Sequence, residues 1–284
     1  MLTFVGLGLY DERSITIEGR DAIRAADRIF MEAYTSRLAG ATVTDLEAYH
    51  DVEIELRDRA GVERDPAPIL EAAADEDVVF LVGGDPMIST THVDLRLRAA
   101  ERGIETRVVH GTTAQTAASS LTGLQNYRFG KATTLPFPGT HGGDSPPTSV
   151  IETIMGNRER DLHTLVYLDI SVDPADRTWS GAAGSADVGD GSESGREAGS
   201  IEDGRFLTGD RAAELLADPL GNALGVVVAR AGSDTPVVAA GSLESLGDRD
   251  FGDPLHLLVI PAGLHDLEAE ALEVLADADP DAIA

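Results

Sequence analysis

The sequence predicts two α/β domains, with a parallel sheet in the first half of the chain and a mixed sheet in the second. Over the first 110 residues, short apolar runs alternate with stretches of helical apolar spacing, which is typical of a parallel sheet covered by helices. The 284 residues, 42% of them apolar, suffice for two packed cores. We expect the domains to span residues 1–110 and 111–284.

In the first domain, predicted strands alternate with predicted helices. The predicted strands are LTFVGLG, IFMEAY, DVVFLVGG and IETRVVHG. The predicted helices are SITIEGRDAIRAADR, PAPILEAAADE with Pro68 near its start, and STTHVDLRLRAAERG. Gly103 stands where a glycine terminates a helix, so we expect the third helix to end there.

The second domain combines strands and helices in a less regular order. The predicted strands are HTLVYLDI, GVVVARAGS, a short strand in PVVAAGSLESLG, and HLLVIP. The predicted helices are TTAQTAASSLTGL, PTSVIETIMGNRERD and, as the last helix, GLHDLEAEALEVLADA. The tract 173–204 is rich in Gly, Ser, Ala, Asp and Glu and contains one aromatic residue, Trp179. Because this composition cannot form a core, we expect an exposed, largely disordered insertion.

The charge of the chain is strongly acidic. There are 50 acidic and 22 basic residues, among them a single lysine, Lys131, and the formal net charge is -28. Such a surface repels nucleic acid and anionic membranes, so we expect neither as a partner. An acidic excess with almost no lysine indicates a very salty cytoplasm, where the Debye length falls to about 3 Å or less. An ordinary acidic protein is the alternative.

Several chemistries are disfavoured by residues that the sequence lacks. No apolar run approaches the roughly 20 residues of a membrane span, and the first residues lack the basic region of a secretion signal. Without cysteine, thiolate catalysis and disulfides are excluded. No two histidines have the i, i+4 spacing of a helical metal site, and neither a hydrolase elbow nor a P-loop motif is present. Most histidines are therefore interpreted as structural, with a strand-edge histidine facing the interdomain cleft as the exception.

Glycines follow the first predicted strand. Gly6 and Gly8 form a Gly-x-Gly pair, but Asp11 stands where a dinucleotide-binding fingerprint has its third glycine. The pair predicts either a tight turn or a backbone that a ligand approaches closely, at the edge where open α/β sheets bind ligands.

A second glycine-rich exit, GGDP, places Asp85 after a predicted buried strand. Its carboxylate could accept hydrogen bonds from ribose hydroxyls or attract a cationic ligand. Alternatively, Asp85 caps the helix that begins near Ser89, or braces the turn. At a third exit, Thr112 or Thr113 could cap the next helix, or backbone N–H groups there could meet a carboxylate or an adenine edge.

Motifs along nearly the whole chain resemble the diphthine synthase family in its archaeal form. They occur in the family's order and are interrupted at the 173–204 tract. The motifs are FVGLGLYDERSITIEG, EAYTS, GDPMISTTH, LTGLQNYRFGK, LHTLVYLDI, ARAGS and DFGDPLHLLVIPAGLH. The resemblance implies the tetrapyrrole-methylase-like fold and a homodimer, with S-adenosylmethionine bound in the cleft between the domains. It also implies methylation of the amino group on a modified histidine of translation elongation factor 2, giving trimethylated diphthine.

The resemblance further implies which residues contact the cofactor. They are Leu9, Asp85, Ile88, Thr113 and Ala114 in the first half, and Leu168, Ala231 and His256 in the second. Two stretches depart from the family pattern: Met87 and Ile88 occupy variable positions, and HGTTAQ replaces a loop that usually contains proline and serine. The resemblance favours Asp85 as a cofactor contact over a brace.

Methyl transfer from a sulfonium mainly requires that the amine be placed in line, which can supply on the order of 7–11 kcal/mol. The sequence alone does not identify a general base. Two alternatives remain open at this point: a corrinoid or other tetrapyrrole methyltransferase on the same fold, and a non-catalytic protein that binds an adenosyl ligand.

Overall fold

The computed structural model describes residues 1–140, 143–172, 175 and 205–283, which form two compact units. One unit is built on Met1–Thr113, and the other on Ala114–Ile170 and Phe206–Ala284. Trp179 and the rest of the 173–204 tract, apart from residue 175, lie outside the described residues, so the interpretation of that tract stays a prediction.

The first unit contains a five-stranded sheet in which every neighbouring pair is parallel. Its strands are β1 (Leu2–Gly6), β2 (Arg28–Glu32), β3 (Glu55–Arg57), β4 (Val78–Val82) and β5 (Thr106–Val109). The order across the sheet is β3-β2-β4-β1-β5, and β1 is therefore flanked by β4 and β5. The predicted parallel sheet is confirmed.

The helices of the first unit begin at side-chain caps in several cases. They are α1 (Ile17–Ala25), α2 (Val43–His50), α3 (Arg59–Glu63), α4 (Ala67–Asp75) and α5 (Val93–Glu101). At α2, Thr42 Oγ1 accepts from Asp45 N at 3.0 Å and Asp45 Oδ2 accepts from Thr42 N at 2.8 Å, forming a capping box. These hydrogen bonds with Thr42 lower the pKa of the Asp45 carboxyl. Gly103 follows α5 with φ +73, as predicted for a helix terminator.

One predicted helix start in this unit is wrong. The helix expected to begin near Ser89 begins at Val93, because Ser89 has a left-handed φ of +55 and lies in the preceding turn. The structure also contains elements that the apolar pattern did not predict, namely α2, α3 and β3, a strand of only three residues with two charged ends.

Two apolar clusters cover the two faces of the first sheet. Alternate residues of β1, β2 and β4 belong to different clusters, since successive side chains of a strand point to opposite faces. Phe4 and Phe80 lie on one face with their rings edge to face at 5.9 Å, whereas Val5 and Leu81 lie on the other. Helix-covered faces on both sides explain why the central strands β1 and β4 are nearly continuous apolar runs.

The second unit has a mixed sheet, as predicted. Its strands are β6 (Thr133–Leu135), β7 (Thr164–Leu168), β10 (Leu224–Ala229), β11 (Val237–Ser242) and β12 (His256–Ile260). The order is β11-β10-β12-β7-β6, in which only β6 and β7 pair in parallel. Two short strands, β8 (Ile170–Ser171) and β9 (Arg205–Phe206), flank the 173–204 tract.

Helices cover both faces of the second sheet, and two apolar clusters again divide the strand residues between them. The helices are α6 (Ala114–Thr122), α7 (Thr148–Arg158), α8 (Gly209–Ala217), α9 (Leu243–Gly247), α10 (Asp266–Ala276) and α11 (Pro280–Ile283). The expectation that the helix now seen as α10 is the last is wrong. The short helix α11 follows it and begins at Pro280, a residue suited to the first position of a helix.

Candidate functional site

Three loops meet at the carboxyl edge of the first sheet, where β1, β4 and β5 end. The chain leaving β1 pairs with the chain leaving β4: Gly8 N donates to Gly84 O at 3.3 Å, and Gly84 N donates to Gly8 O at 2.7 Å. Leu7 N also donates to Val82 O at 2.8 Å. The loops after β1 and β4 are therefore joined by main-chain hydrogen bonds beyond the ends of their strands.

The glycines at this edge allow the loops to pack on one another. A Cβ atom on Gly6 would overlap the carbonyl oxygen of Gly84 and lie 2.7 Å from Gly111 N. A Cβ atom on Gly111 would overlap the same carbonyl oxygen. Gly6 and Gly111 must therefore be glycine because three backbones pack closely at this edge. This role differs from the two that the sequence predicted, a tight turn and the close approach of a ligand.

Asp85 braces the junction of these loops. The residue is 5% exposed, and its Oδ1 accepts from Met87 N at 2.9 Å. Its Oδ2 accepts from Gly111 N at 3.3 Å and contacts Nδ1 of His110 at 2.7 Å. The bracing interpretation is therefore realised in the structure, whereas helix capping by Asp85 is not, since its partners lie in the turn and in the loop after β5.

The remaining predicted contacts of the first half lie in or beside these loops. Leu9 follows β1 and is half-buried, and Ile88 follows the Asp85 turn with 47% of its surface exposed. Thr113 follows β5 and is half-buried, while Ala114 is the first residue of α6 and belongs to the second unit. Leu9, Asp85, Ile88 and Thr113 are thus brought to one edge of the first sheet.

The predicted contacts of the second half lie at one edge of the second sheet. Leu168 is the last residue of β7, His256 is the first residue of β12, and Ala231 follows the end of β10 by two residues. Because β12 runs antiparallel to both neighbours, its start lies beside their ends, with His256 in register with Ala229. Separate stretches of sequence therefore converge here.

The His256 ring is fully hydrogen-bonded inside the second unit. Its Nδ1 accepts from Gly209 N at 3.0 Å, so we assign the ring proton to Nε2, which donates to Asp253 O at 2.9 Å. Burial lowers the pKa of His256 and keeps the ring neutral. With both nitrogens occupied, His256 can meet a ligand through its backbone or the carbon edge of its ring.

A buried polar network lies at the opposite edge of the second sheet. Glu268 has no exposed surface and contacts Arg128 Nη1 at 2.5 Å and His163 Nε2 at 3.0 Å. Ala262 N donates to His163 Nδ1 at 3.1 Å, so Nε2 carries the ring proton and donates to Glu268. Since every member has partners within the unit, we interpret this network as structural.

The described residues contain neither a metal-binding cluster nor a membrane-spanning helix. No group of three or more His, Asp or Glu side chains in the described part of the chain has an arrangement that could hold a metal ion. Among the helices of the described residues, none is both long and apolar enough to cross a membrane.

Each sheet edge, taken by itself, offers groups that suit part of an adenosyl ligand. At the first sheet, Leu9 and Ile88 provide apolar surface and Asp85 provides negative charge suited to a cationic group. At the second sheet, the half-buried Ala231 provides apolar surface. A carboxylate can accept roughly four hydrogen bonds, and the Asp85 carboxylate makes three contacts, with Met87 N, His110 Nδ1 and Gly111 N.

Comparisons with known proteins point to one family. Residues 1–178 match the family described as Tetrapyrrole (Corrin/Porphyrin) Methylases. The chain is 64% identical to a diphthine synthase of Halorubrum lacusprofundi, over 98% of this chain and 97% of that protein. It is 61% identical to a diphthine synthase of Haloarcula marismortui, over 98% of this chain and 99% of that protein. A crystal structure of a diphthine synthase superposes with a TM-score of 0.80 at 34% identity, covering 99% of this chain and 98% of that one.

Proposed function

Because the chain belongs to the diphthine synthase family of the tetrapyrrole methylases, we propose that it is the S-adenosylmethionine-dependent methyltransferase of diphthamide biosynthesis. The observation that carries the proposal is the near-full-length identity of 64% to a haloarchaeal diphthine synthase. Its substrate is the modified histidine of translation elongation factor 2, and its product is the trimethylated diphthine. The full-length match favours this activity over methylation of a free tetrapyrrole or cofactor binding without catalysis.

We also propose that the cofactor contacts are the eight residues that the family motifs indicate. In the first half they are Leu9, Asp85, Ile88, Thr113 and Ala114, and in the second half Leu168, Ala231 and His256. Their convergence at one edge of each sheet supports this assignment. When bound, S-adenosylmethionine supplies a methyl group on a good leaving group, so the protein's main tasks are to position the amine and to keep water away.

The setting of the reaction follows from charge and relatives. The net charge of -28 and the haloarchaeal relatives support a halophilic, cytoplasmic enzyme, whose self-repulsion is screened by concentrated salt. A homodimer is proposed from the family alone.

The direct test is methyl transfer to the protein substrate. The chain is incubated in molar KCl with labelled S-adenosylmethionine and with elongation factor 2 whose histidine carries the aminocarboxypropyl group, and the factor is then analysed by mass spectrometry. At saturating cofactor we expect three added methyl groups, confined to that histidine. The factor with an unmodified histidine is the control, and absence of label from the modified factor at saturating cofactor would refute the proposal.

The Asp85→Ala variant tests the cofactor assignment. Loss of the carboxylate removes the acceptor for Met87 N and Gly111 N, so the loops that carry Ile88 and Thr113 should loosen. Calorimetry should show weaker S-adenosylmethionine binding while circular dichroism stays unchanged. Asp94→Ala, at an exposed aspartate of α5, is the matched control. Equal affinities of the two variants would reduce Asp85 to a turn residue.

A further inference from the structure

Asp85 and His110 form a carboxylate–imidazole pair at the carboxyl edge of the first sheet. We propose that His110 is the proton acceptor for the substrate amine and that Asp85 is the positioning residue that orients its ring. This inference rests on the proposed methyltransferase function and supplies a general base, which the sequence alone does not identify.

In a pair of this kind the carboxylate is buried and the imidazole is open to the substrate, and Asp85 and His110 differ in exposure in this way. The Asp85 side chain is 5% exposed, whereas that of His110 is 78% exposed. The carboxylate is fixed from the protein side by Met87 N and Gly111 N. Its contact with Nδ1 of His110, at 2.7 Å, therefore holds one side of a ring that is otherwise open to solvent.

The contact also determines the tautomer of the His110 ring. An ionised carboxylate only accepts hydrogen bonds, so the Nδ1 atom beside Asp85 must carry a proton. In the neutral ring the lone pair is then on Nε2, on the side away from Asp85. A buried carboxylate that orients an imidazole in this way leaves the second nitrogen available as a base.

The other histidines in the described part of the chain are less suited to this role. His163 and His256 use both ring nitrogens in hydrogen bonds within the second unit. His50 and His92 are 3% and 2% exposed, so a substrate amine has no access to them. His265 is exposed but precedes α10, at the end of the second unit that is remote from the edge of Leu168 and His256.

The proposed step is a balanced proton transfer. An N–H bond of the substrate ammonium breaks, its electron pair remains on the nitrogen, and a new N–H bond forms at Nε2 of His110. The neutral amine that results has the lone pair that methyl transfer requires. The imidazolium, stabilised by the Asp85 carboxylate, returns its proton to solvent before the next transfer.

The first test reads the tautomer in the protein without cofactor. Nitrogen NMR of the ring at a pH where it is neutral should show a protonated Nδ1 and an unprotonated Nε2. In Asp85→Asn the amide N–H₂ can donate to Nδ1, so the proton should move to Nε2. The buried His256 provides an internal reference with the opposite tautomer. If the Nε2–H form predominates at His110 in the parent protein and Asp85→Asn leaves it unchanged, the inference is wrong.

The second test separates a base from a structural residue by chemical rescue. General acid–base catalysis contributes about 10²–10⁴-fold, so His110→Ala should lower kcat by at least about 100-fold. Added imidazole can reach the exposed position and should restore transfer, whereas cofactor affinity should stay unchanged. His265→Ala, also at an exposed histidine, should keep the parent rate.

The outcomes distinguish the two proposals. A His110→Ala enzyme with kcat within about two-fold of the parent would overturn the role of His110 and leave the proposed function standing. A loss of activity that imidazole does not restore would also overturn it. Absence of transfer by the parent enzyme itself would overturn the proposed function, and with it this inference.

Discussion

The Glu268 carboxylate connects α10 to segments that lie far from it in the sequence. It accepts hydrogen bonds from Gln125 N at 2.9 Å, Arg128 Nη1 at 2.5 Å, His163 Nε2 at 3.0 Å and His265 N at 3.0 Å. The variant Glu268→Gln keeps the shape of the side chain but removes the charge and replaces one acceptor oxygen with a donor N–H₂ group. At least one of the buried donors then faces another donor.

The expected loss of stability follows from two arguments. Burial alone would raise the pKa of Glu268, but hydrogen bonds from His265, Gln125 and His163 lower it from 4.5 to about 2. At 1.36 kcal/mol per pKa unit, this shift corresponds to about 3 kcal/mol of folding free energy at neutral pH. Breaking a buried ion pair by removing one partner costs about 3–5 kcal/mol. We therefore expect Glu268→Gln to lower the free energy of unfolding by about 3–5 kcal/mol.

Urea unfolding in molar KCl, followed by circular dichroism, measures this change. Glu270→Gln on the exposed face of α10 is the matched control and should lie within about 0.5 kcal/mol of the parent. The folded-state pKa is depressed, so the stabilisation is present above pH 4.5 and is lost as pH falls towards about 2. The difference between parent and variant should shrink over that range. A Glu268→Gln protein as stable as the Glu270→Gln control at pH 7 would refute the reasoning.

Three further perturbations have defined outcomes. Gly111→Ala places a Cβ atom against the Gly84 carbonyl and should destabilise the first unit by about 1–3 kcal/mol in urea unfolding. The control Gly156→Ala has open space around the new Cβ atom and should be neutral or stabilising by up to about 1 kcal/mol. Equal unfolding midpoints of the two variants would contradict the packing argument. Thr42→Ala removes the capping box of α2 and should cost about 1 kcal/mol, with faster amide exchange in the first turn of α2 as the local readout; unchanged exchange there would argue against a role for the box. Desolvation by burial lowers the pKa values of His50, His92 and His256 below 6.5, so below about pH 6.5 the unfolded chain binds more protons than the folded one. The urea midpoint of unfolding should therefore fall as the pH drops below about 6.5. A midpoint that stays constant down to about pH 5 would show that these rings are not held neutral.

The sequence pattern predicted the elements whose residues alternate or repeat with a clear period. β1 and β4 are apolar runs that lead into glycines, and the burial of all five residues of each strand matches that pattern. The strand β3 was missed because three residues, two of them charged, carry no periodic signal. For α2 a signal was present, since Thr42 and Asp45 have the spacing of a capping box, but the apolar pattern of the helix is weak.

The candidate site was predicted as single residues rather than as a set of contacts. That Asp85 follows a strand end can be read from GGDP, but its partner His110 follows a different strand. The two strands, β4 and β5, are separated by β1 in the sheet, and this order is not encoded in any local motif. The same reason applies to His256, whose hydrogen bond with Gly209 N depends on how α8 packs on the second sheet.

The close approach of Gly6, Gly84 and Gly111 has a consequence for how a ligand is bound at that edge. Main-chain hydrogen bonds between Gly8 and Gly84, together with the Asp85 carboxylate, lock the three loops to one another before any ligand arrives. Ordering a free loop costs roughly 1–2 kcal/mol of conformational entropy per residue, a cost that preorganised loops do not incur on binding. This edge is therefore a rigid template, and a ligand that matches it loses little affinity to loop ordering.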